Sequence, residues 1–465
     1  MSNDLQSKLT ELATELDVPG VSAGVLADGE EHYAFHGVTS VDNPLPVDDK
    51  TLFQFGSTGK TYTATAIMRL VDQGKVALDE PVRTYLPEFK LRDEDVAAKV
   101  TVLQLLNHTA GWEGDMMDDT GDGDDALEKY VARMERLQQV TPLGATVSYN
   151  NASLSVAGHI IARIQGTTYE KAIRDLLLEP LGLDQTFFFP NEIMTRRFAV
   201  GHRRDDDGTF SIARPWALPR GNAPAGGMSA NARDQIAWAK CHLGDGTAPD
   251  GTRLLSHELL ELMKQPTMSM QGSALGDFVG ISWLIKDVAG VRLVGHGGTT
   301  NGQYSNFTLV PERGFAYISM TNSGPNGHQL NELLEKWALE HFVGVVDVEP
   351  EQLSLGEDAL QEYTGSFETI AATVDITVDG SRLAARVTIK PEMAAVLREQ
   401  GEDVPDEQPP FPLAIIAGDG DPYIVPDGPA KGMRGYFARD AAGRVSGVHL
   451  GGRLASKVTS SLVGS

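Results

Sequence analysis

Leu5, Leu9, Leu12 and Leu16 recur at helical spacing, which predicts an N-terminal helix that Pro19-Gly20 terminates. The next stretch, GVSAGVLADGEEHYAFHG over residues 20–37, breaks at Asp28-Gly29 and reads as two short strands around a tight turn. Helical periodicity then dominates, over 60–73, 152–165 and 231–243. Near residue 280 the pattern returns to strands, VRLVGHGGTT, NFTLV and FAYISMTN, with glycine-rich breaks between them. Strands at both ends of a mostly helical region predict one antiparallel sheet closed by distant segments, an α+β domain.

The pattern shifts near Val345. VDVEPEQLSLGED is acidic and turn-rich, and reads as a linker or crossover. Beyond it, short β-type runs occupy 373–378, 383–389, 412–416, 434–439 and 444–450, with turns at Asp379-Gly380 and Ala442-Gly443. Many short strands in a tail of this length predict a small antiparallel barrel or sandwich. Two domains are therefore expected, 1–345 and 346–465.

Composition adds limits. The chain has 465 residues and a net charge of −25, which argues against nucleic acid and anionic membranes as partners. No apolar stretch has the length of a membrane span, and the N-terminus lacks an apolar signal-peptide core. A cytoplasmic location is the expectation, with export left open should a leader precede these residues. The one cysteine, Cys241, excludes an intrachain disulfide and reads as a small buried apolar residue. The acidic run 118–125 resembles the start of a calcium loop, but its twelfth position is Lys129, where a bidentate Glu is needed. A solvated loop, perched as a flap over a cleft, fits better. No metal and no cofactor are expected.

Candidate chemistry starts at FGSTGKTYTAT, residues 55–65. Gly59-Lys60-Thr61 imitates the end of a phosphate-binding loop, but the position that needs its first glycine is Gln54, between Phe53 and Phe55. The same letters hold Ser57-x-x-Lys60. If Ser57 opens the helix, Lys60 lies on the same face, and the helix N-terminus favours a developing oxyanion. Of the 15 lysines only Lys60 has a serine three residues earlier. Alone, S-x-x-K is a common four-residue coincidence, and a serine before a helix is usually only an N-cap. Tyr149-Asn150-Asn151 precedes a helical run; Tyr149 as a partial phenolate could relay the serine proton, and Asn151 could hold both the lysine ammonium and a substrate carbonyl. The alternative is that Asn151 caps the helix and Tyr149 packs in a core; Tyr304-Ser305-Asn306 matches the same pattern. His296-Gly297-Gly298-Thr299 ends a strand-like run, where glycines let a substrate backbone approach the strand edge and the Thr299 N–H could join that of Ser57. His242-Leu243-Gly244 matches too, as a helix end capped by Gly244.

In order and spacing, Ser57–Lys60, Tyr149–Asn151 and His296–Gly298 resemble the three motifs of the penicillin-recognising serine hydrolases: class C β-lactamases, DD-peptidases, D-aminopeptidases and related esterases. GKVALDEPVRTYLPEF (74–89), LLNHTAG (105–111) and PAGGMSANARDQIAW (224–238) extend the resemblance over about 10–345. The tail from LQEYTG at 360–365 resembles the lipocalin-like domain of some of these proteins. The resemblance implies a sheet flanked by helices plus a helical subdomain, and two-step acyl transfer. Ser57 is then the nucleophile, Lys60 and Tyr149 manage its proton, and Asn151, His296, Gly297, Gly298 and Thr299 bind substrate and oxyanion. It implies a peptidase or carboxylesterase acting on a small molecule or short peptide. The departure is His296, where β-lactamases usually carry a lysine; an imidazole with an ordinary pKa near 6.5 is largely neutral at pH 7. A weak β-lactamase and a silent sensor or scaffold are the alternatives. Specificity is expected from the loops 112–128 and 203–223, and from the tail reaching over the cleft. Trp112, Trp216 and Trp283 are candidates for an acyl pocket or, as is usual for tryptophan, for the core. Homo-oligomerisation is compatible with the sequence and is not decided by it.

Overall fold

The computed structural model describes residues 2–205, 207–399, 409–418, 420–428 and 430–458. Its centre is an antiparallel sheet of eight strands built from both ends of the first 345 residues. Strands Gly20–Ala27 and Glu30–Gly37 form the expected hairpin, with Asp28 and Gly29 both at positive φ (51° and 78°), as a tight turn between twisted strands requires. Gly20–Ala27 then pairs with Phe315–Thr321, Val21 opposite Thr321, so segments about 300 residues apart close the sheet. Gln303–Val310, Val291–Thr300, Leu284–Val288, Gly276–Val279 and Met268–Ser273 follow in spatial order.

Gly20–Ala27 is buried at every position because the sheet is covered on both faces. On one face, Leu5, Leu9 and Leu12 of helix Ser2–Glu15 pack with Leu330 and Leu334 of helix Asn326–Val343 against Val21, Val25 and Tyr317. On the other, helices Gly59–Asp72, Asn151–Gln165 and Ala232–Leu243 bury Tyr62, Ile67, Ile160 and Trp238 against Val294, Phe307 and Met320. Cys241 is buried there, its thiol pushed up to about 12 by burial. Short helices, among them Glu94–Lys99, Val102–Leu106 and Ala126–Ala132, complete a helical layer beyond. The acidic run is held by arginines: Arg133 and Arg136 pair with Asp118, and Arg220 bridges Asp124 and Glu170.

The tail is a closed barrel of eight antiparallel strands, Gly365–Glu368 through Arg453–Lys457, around Phe367, Ile376, Leu413, Tyr423, Phe437 and Val448. The five expected runs are all strands. The other three, Gly365–Glu368, Pro422–Ile424 and Arg453–Lys457, lie outside the expected runs. Among the described residues no helix is long and apolar enough to cross a membrane.

Candidate active site

Ser57 lies in a 3-10 turn, Gly56–Thr58, that runs straight into helix Gly59–Asp72; the α-helix therefore starts two residues later than a helix opened by Ser57 itself. Lys60, one turn on, has no solvent exposure, and its Nζ donates to Ser57 Oγ at 2.9 Å and to the Ala225 carbonyl at 2.7 Å. A solvated lysine on a helix face, or one reaching for a phosphate, fits neither bond. Burial, reinforced by the positive charge of Arg453 and opposed by Asp115, pulls the Lys60 pKa well below that of a free lysine. The result is an amine whose charged form is disfavoured, beside a serine hydroxyl.

The turn that carries Ser57 packs on the edge of strand Val291–Thr300. Leu284 is the last partner on that edge, opposite Gly295, so residues 296–300 have it free. The ladder to Gln303–Val310 closes with Thr300 opposite Gln303 across a two-residue turn. Alternation of hydrogen-bonded and open pairs then points the N–H and C=O of Thr299 outward, at the turn. Gly56 sits at φ +50°, and a Cβ there would lie 2.7 Å from both Thr299 N and Thr299 O. Gly298 has a related reason: its Cβ would fall 1.9 Å from the Phe55 carbonyl. Gly298 therefore makes room for the Ser57 turn, a packing reason separate from the expected approach of substrate to the strand edge. Gly297 is exposed, and a Cβ there meets only Ser305 O at 3.5 Å. Thr58 Oγ1 donates to His296 O at 3.1 Å, and Ser305 Oγ to Phe55 O at 2.8 Å, which ties turn to strand. Tyr304-Ser305-Asn306 is therefore part of the sheet that supports the site.

Tyr149 comes to the same point from the loop before helix Asn151–Gln165, with 7% of its surface exposed. Lys60 Nζ lies 4.9 Å from its ring centroid. Burial raises the phenol's pKa well above that of a free tyrosine, and the adjacent Ser57 hydroxyl and Arg453 guanidinium offset this only in part. Tyr149 is a neutral phenol, which corrects the partial-phenolate expectation. Asn150, not Asn151, caps the helix, its side chain accepting from Ser153 N at 2.8 Å. Asn151 Nδ2 donates to Asp115 at 2.9 Å, whereas the Lys60 bonds go to Ser57 and Ala225.

His296 is buried, with Nδ1 2.6 Å from the Gly297 carbonyl. Burial and repulsion by Lys60 push its pKa down to about 3, against the Gly297 bond. The neutral ring must carry its proton on Nδ1, which leaves Nε2 a buried acceptor with no partner among the described residues. His108, which sequence reasoning passed over inside LLNHTAG, stands 4.5 Å from Tyr149 between ring centroids. Its Nδ1 accepts from Asn150 N at 3.1 Å, and burial holds it neutral too. His108 is a non-glycine residue at φ +59°, a backbone signature no spacing rule can show. His242, the second H-x-G match, is enclosed by Trp238 and Trp283 at the end of its helix. Gly244 is the C-cap there, in an extended rather than left-handed conformation. Trp112 and Trp283 are core residues, and Trp216 is half-buried against Phe198.

The family model described as Beta-lactamase matches residues 5–340. The chain is 37% identical to penicillin-binding protein 4 of Amycolatopsis lactamdurans over 322 residues, 69% of this chain and 84% of that protein. Among solved structures, SurE superposes at a TM-score of 0.77 with 25% identity, covering 98% of this chain and 99% of that one. The D-amino acid amidase of Ochrobactrum anthropi SV3, complexed with L-phenylalanine, superposes at 0.62 with 25% identity, covering 73% of this chain and 99% of that one. Fold, motif order and these matches agree: the chain belongs to the β-lactamase family and is a serine hydrolase of that family.

Proposed function

We propose that the protein hydrolyses amide or ester bonds of short peptides and small acyl compounds through a Ser57 acyl-enzyme, as a peptidase or amidase of the D-aminopeptidase kind or as a carboxylesterase. The observation that carries this is the unexposed Lys60 amine 2.9 Å from Ser57 Oγ. An amine kept neutral by burial is a competent base for a serine hydroxyl. Ser57 Oγ attacks the carbonyl carbon and its proton passes to Lys60. The oxyanion sits between the N–H groups of Ser57 and Thr299. The Tyr149 phenol protonates the leaving nitrogen or oxygen and regains a proton from the Lys60 ammonium. Water then deacylates Ser57 by the same route in reverse. Acid–base assistance of this kind contributes about 10²- to 10⁴-fold.

The D-amino acid amidase among the structural relatives supports the amide arm. Neutral His296 disfavours an efficient β-lactamase, because no fixed cation stands at that place to bind a lactam carboxylate. The intact serine–lysine–tyrosine arrangement disfavours a silent scaffold. A panel of nitrocefin, p-nitrophenyl esters of graded chain length, and D- and L-alanyl amides, each with wild type and Ser57→Ala, tests the proposal. Ser57-dependent turnover of amides or esters, exceeding that of nitrocefin, is expected; nitrocefin as the best substrate would contradict it.

A further inference from the structure

The barrel reaches the cleft through the hairpin Leu450–Arg453. At its tip Gly452 O accepts the Tyr149 N–H at 2.9 Å, and a Cβ on Gly452 (φ +84°) would lie 2.6 Å from Leu275. The tip is thus seated between the tyrosine loop and the edge of the sheet. Arg453 follows and forks onto Asp115, with Nε 2.5 Å from Oδ2 and Nη2 2.8 Å from Oδ1. The same Oδ1 accepts from Asn151 Nδ2 at 2.9 Å. A carboxylate only accepts, so this bond decides which end of the Asn151 amide faces it and leaves Asn151 Oδ1 turned away. The guanidinium also stands 5.2 Å from the Tyr149 ring centroid, the ring that Lys60 Nζ approaches to 4.9 Å.

We propose that Arg453 is a positioning residue that the barrel contributes to the hydrolytic site, acting through Asp115 on the Asn151 amide and, by its charge beside the Tyr149 ring, on Lys60. The inference rests on the Ser57–Lys60–Tyr149 assignment. An arginine stays charged at any working pH, so its repulsion of a Lys60 ammonium is permanent. Asp115 has the opposite effect on the same amine. The remaining ionisable groups that face Lys60 are Tyr149, His108 and His296, all held neutral. The Arg453 and Asp115 side chains are 37% and 27% exposed, so solvent screens their field, and the two act on Lys60 in opposite directions: Arg453 lowers its pKa and Asp115 raises it.

The test is kcat/KM for p-nitrophenyl acetate against pH in wild type, Arg453→Gln, Arg453→Lys and Asp115→Asn, with Tm measured for each. Arg453→Gln moves the acid limb to higher pH and Asp115→Asn moves it to lower pH, each by ~0.5–1 unit. Arg453→Lys keeps the charge but loses the fork; its limb stays in place while kcat falls about tenfold. A mere strut between domains would lower Tm and rate in all three variants without moving any limb, and that result overturns the proposal. If Arg453→Gln does not fold, the direction of the Asp115→Asn limb decides. Turnover that persists in Ser57→Ala overturns the underlying assignment, whereas Ser57-dependent turnover with unmoved limbs overturns this inference alone.

Discussion

Lys60 Nζ lies 2.9 Å from Ser57 Oγ on a side chain with no solvent exposure. Removing an ammonium from water is costly unless it is paired, and among the described residues no carboxylate bonds to this one; its acceptors are a hydroxyl and a carbonyl. Loss of the proton relieves that cost, so the contact is best satisfied by the neutral amine.

A pH profile follows from this. Where Lys60 keeps its proton it cannot accept one from Ser57, so kcat/KM is low at acid pH and climbs as pH passes the lowered Lys60 pKa. The plateau persists until the Tyr149 phenol ionises, and burial delays that beyond the ordinary value of 10.0. A rate–pH series should therefore show one acid limb and a plateau continuing past pH 10, as far as the fold survives. Lys60→Met should reduce kcat/KM by about 10³-fold or more while the protein stays folded.

His296 does not supply that limb. Its pKa of about 3 keeps it neutral throughout the range in which the enzyme is assayed. His296→Gln is expected to leave the position of the limb unchanged and to alter KM more than its pH dependence. A limb near pH 6.5 that disappears in His296→Gln would assign the titration to the imidazole instead.

The two glycines of the strand edge should part company on substitution. Gly298→Ala drives a Cβ into the Phe55 carbonyl at 1.9 Å, backbone against backbone, and should destabilise by about 1–3 kcal/mol or more while displacing Ser57. Gly297→Ala meets nothing closer than 3.5 Å and should keep a Tm within a few degrees of wild type. Thermal melts of the pair check this; equal melting temperatures would contradict the packing role given to Gly298.

The outcome shows what a linear pattern carries. Helix Gly59–Asp72 and the hairpin at Asp28-Gly29 were legible because local periodicity and turn chemistry determine them. The last three strands on one side of the sheet, Leu284–Val288, Gly276–Val279 and the edge strand Met268–Ser273, were not, since half-exposed strands toward a sheet margin need no apolar alternation. Ser57, Lys60 and Tyr149 stood out by type and spacing, and the structure brings them together. Asp115 and Arg453 are 338 residues apart, one in a loop and one at a hairpin tip, so no spacing joins them. The glycine at 298 was noticed, but its neighbour, the Phe55 carbonyl, lies far away in the chain. Packing of the barrel hairpin on the tyrosine loop, and of distant backbones on one another, exists only after folding.

The most direct measurement is peptide mass mapping of the protein quenched during turnover of p-nitrophenyl acetate, in wild type, Lys60→Met and Ser57→Ala. One acetyl group on the peptide that carries Ser57 is expected in wild type, with almost none in Lys60→Met and none in Ser57→Ala. An acetyl group on any other residue during turnover, or undiminished turnover in Ser57→Ala, would contradict the account.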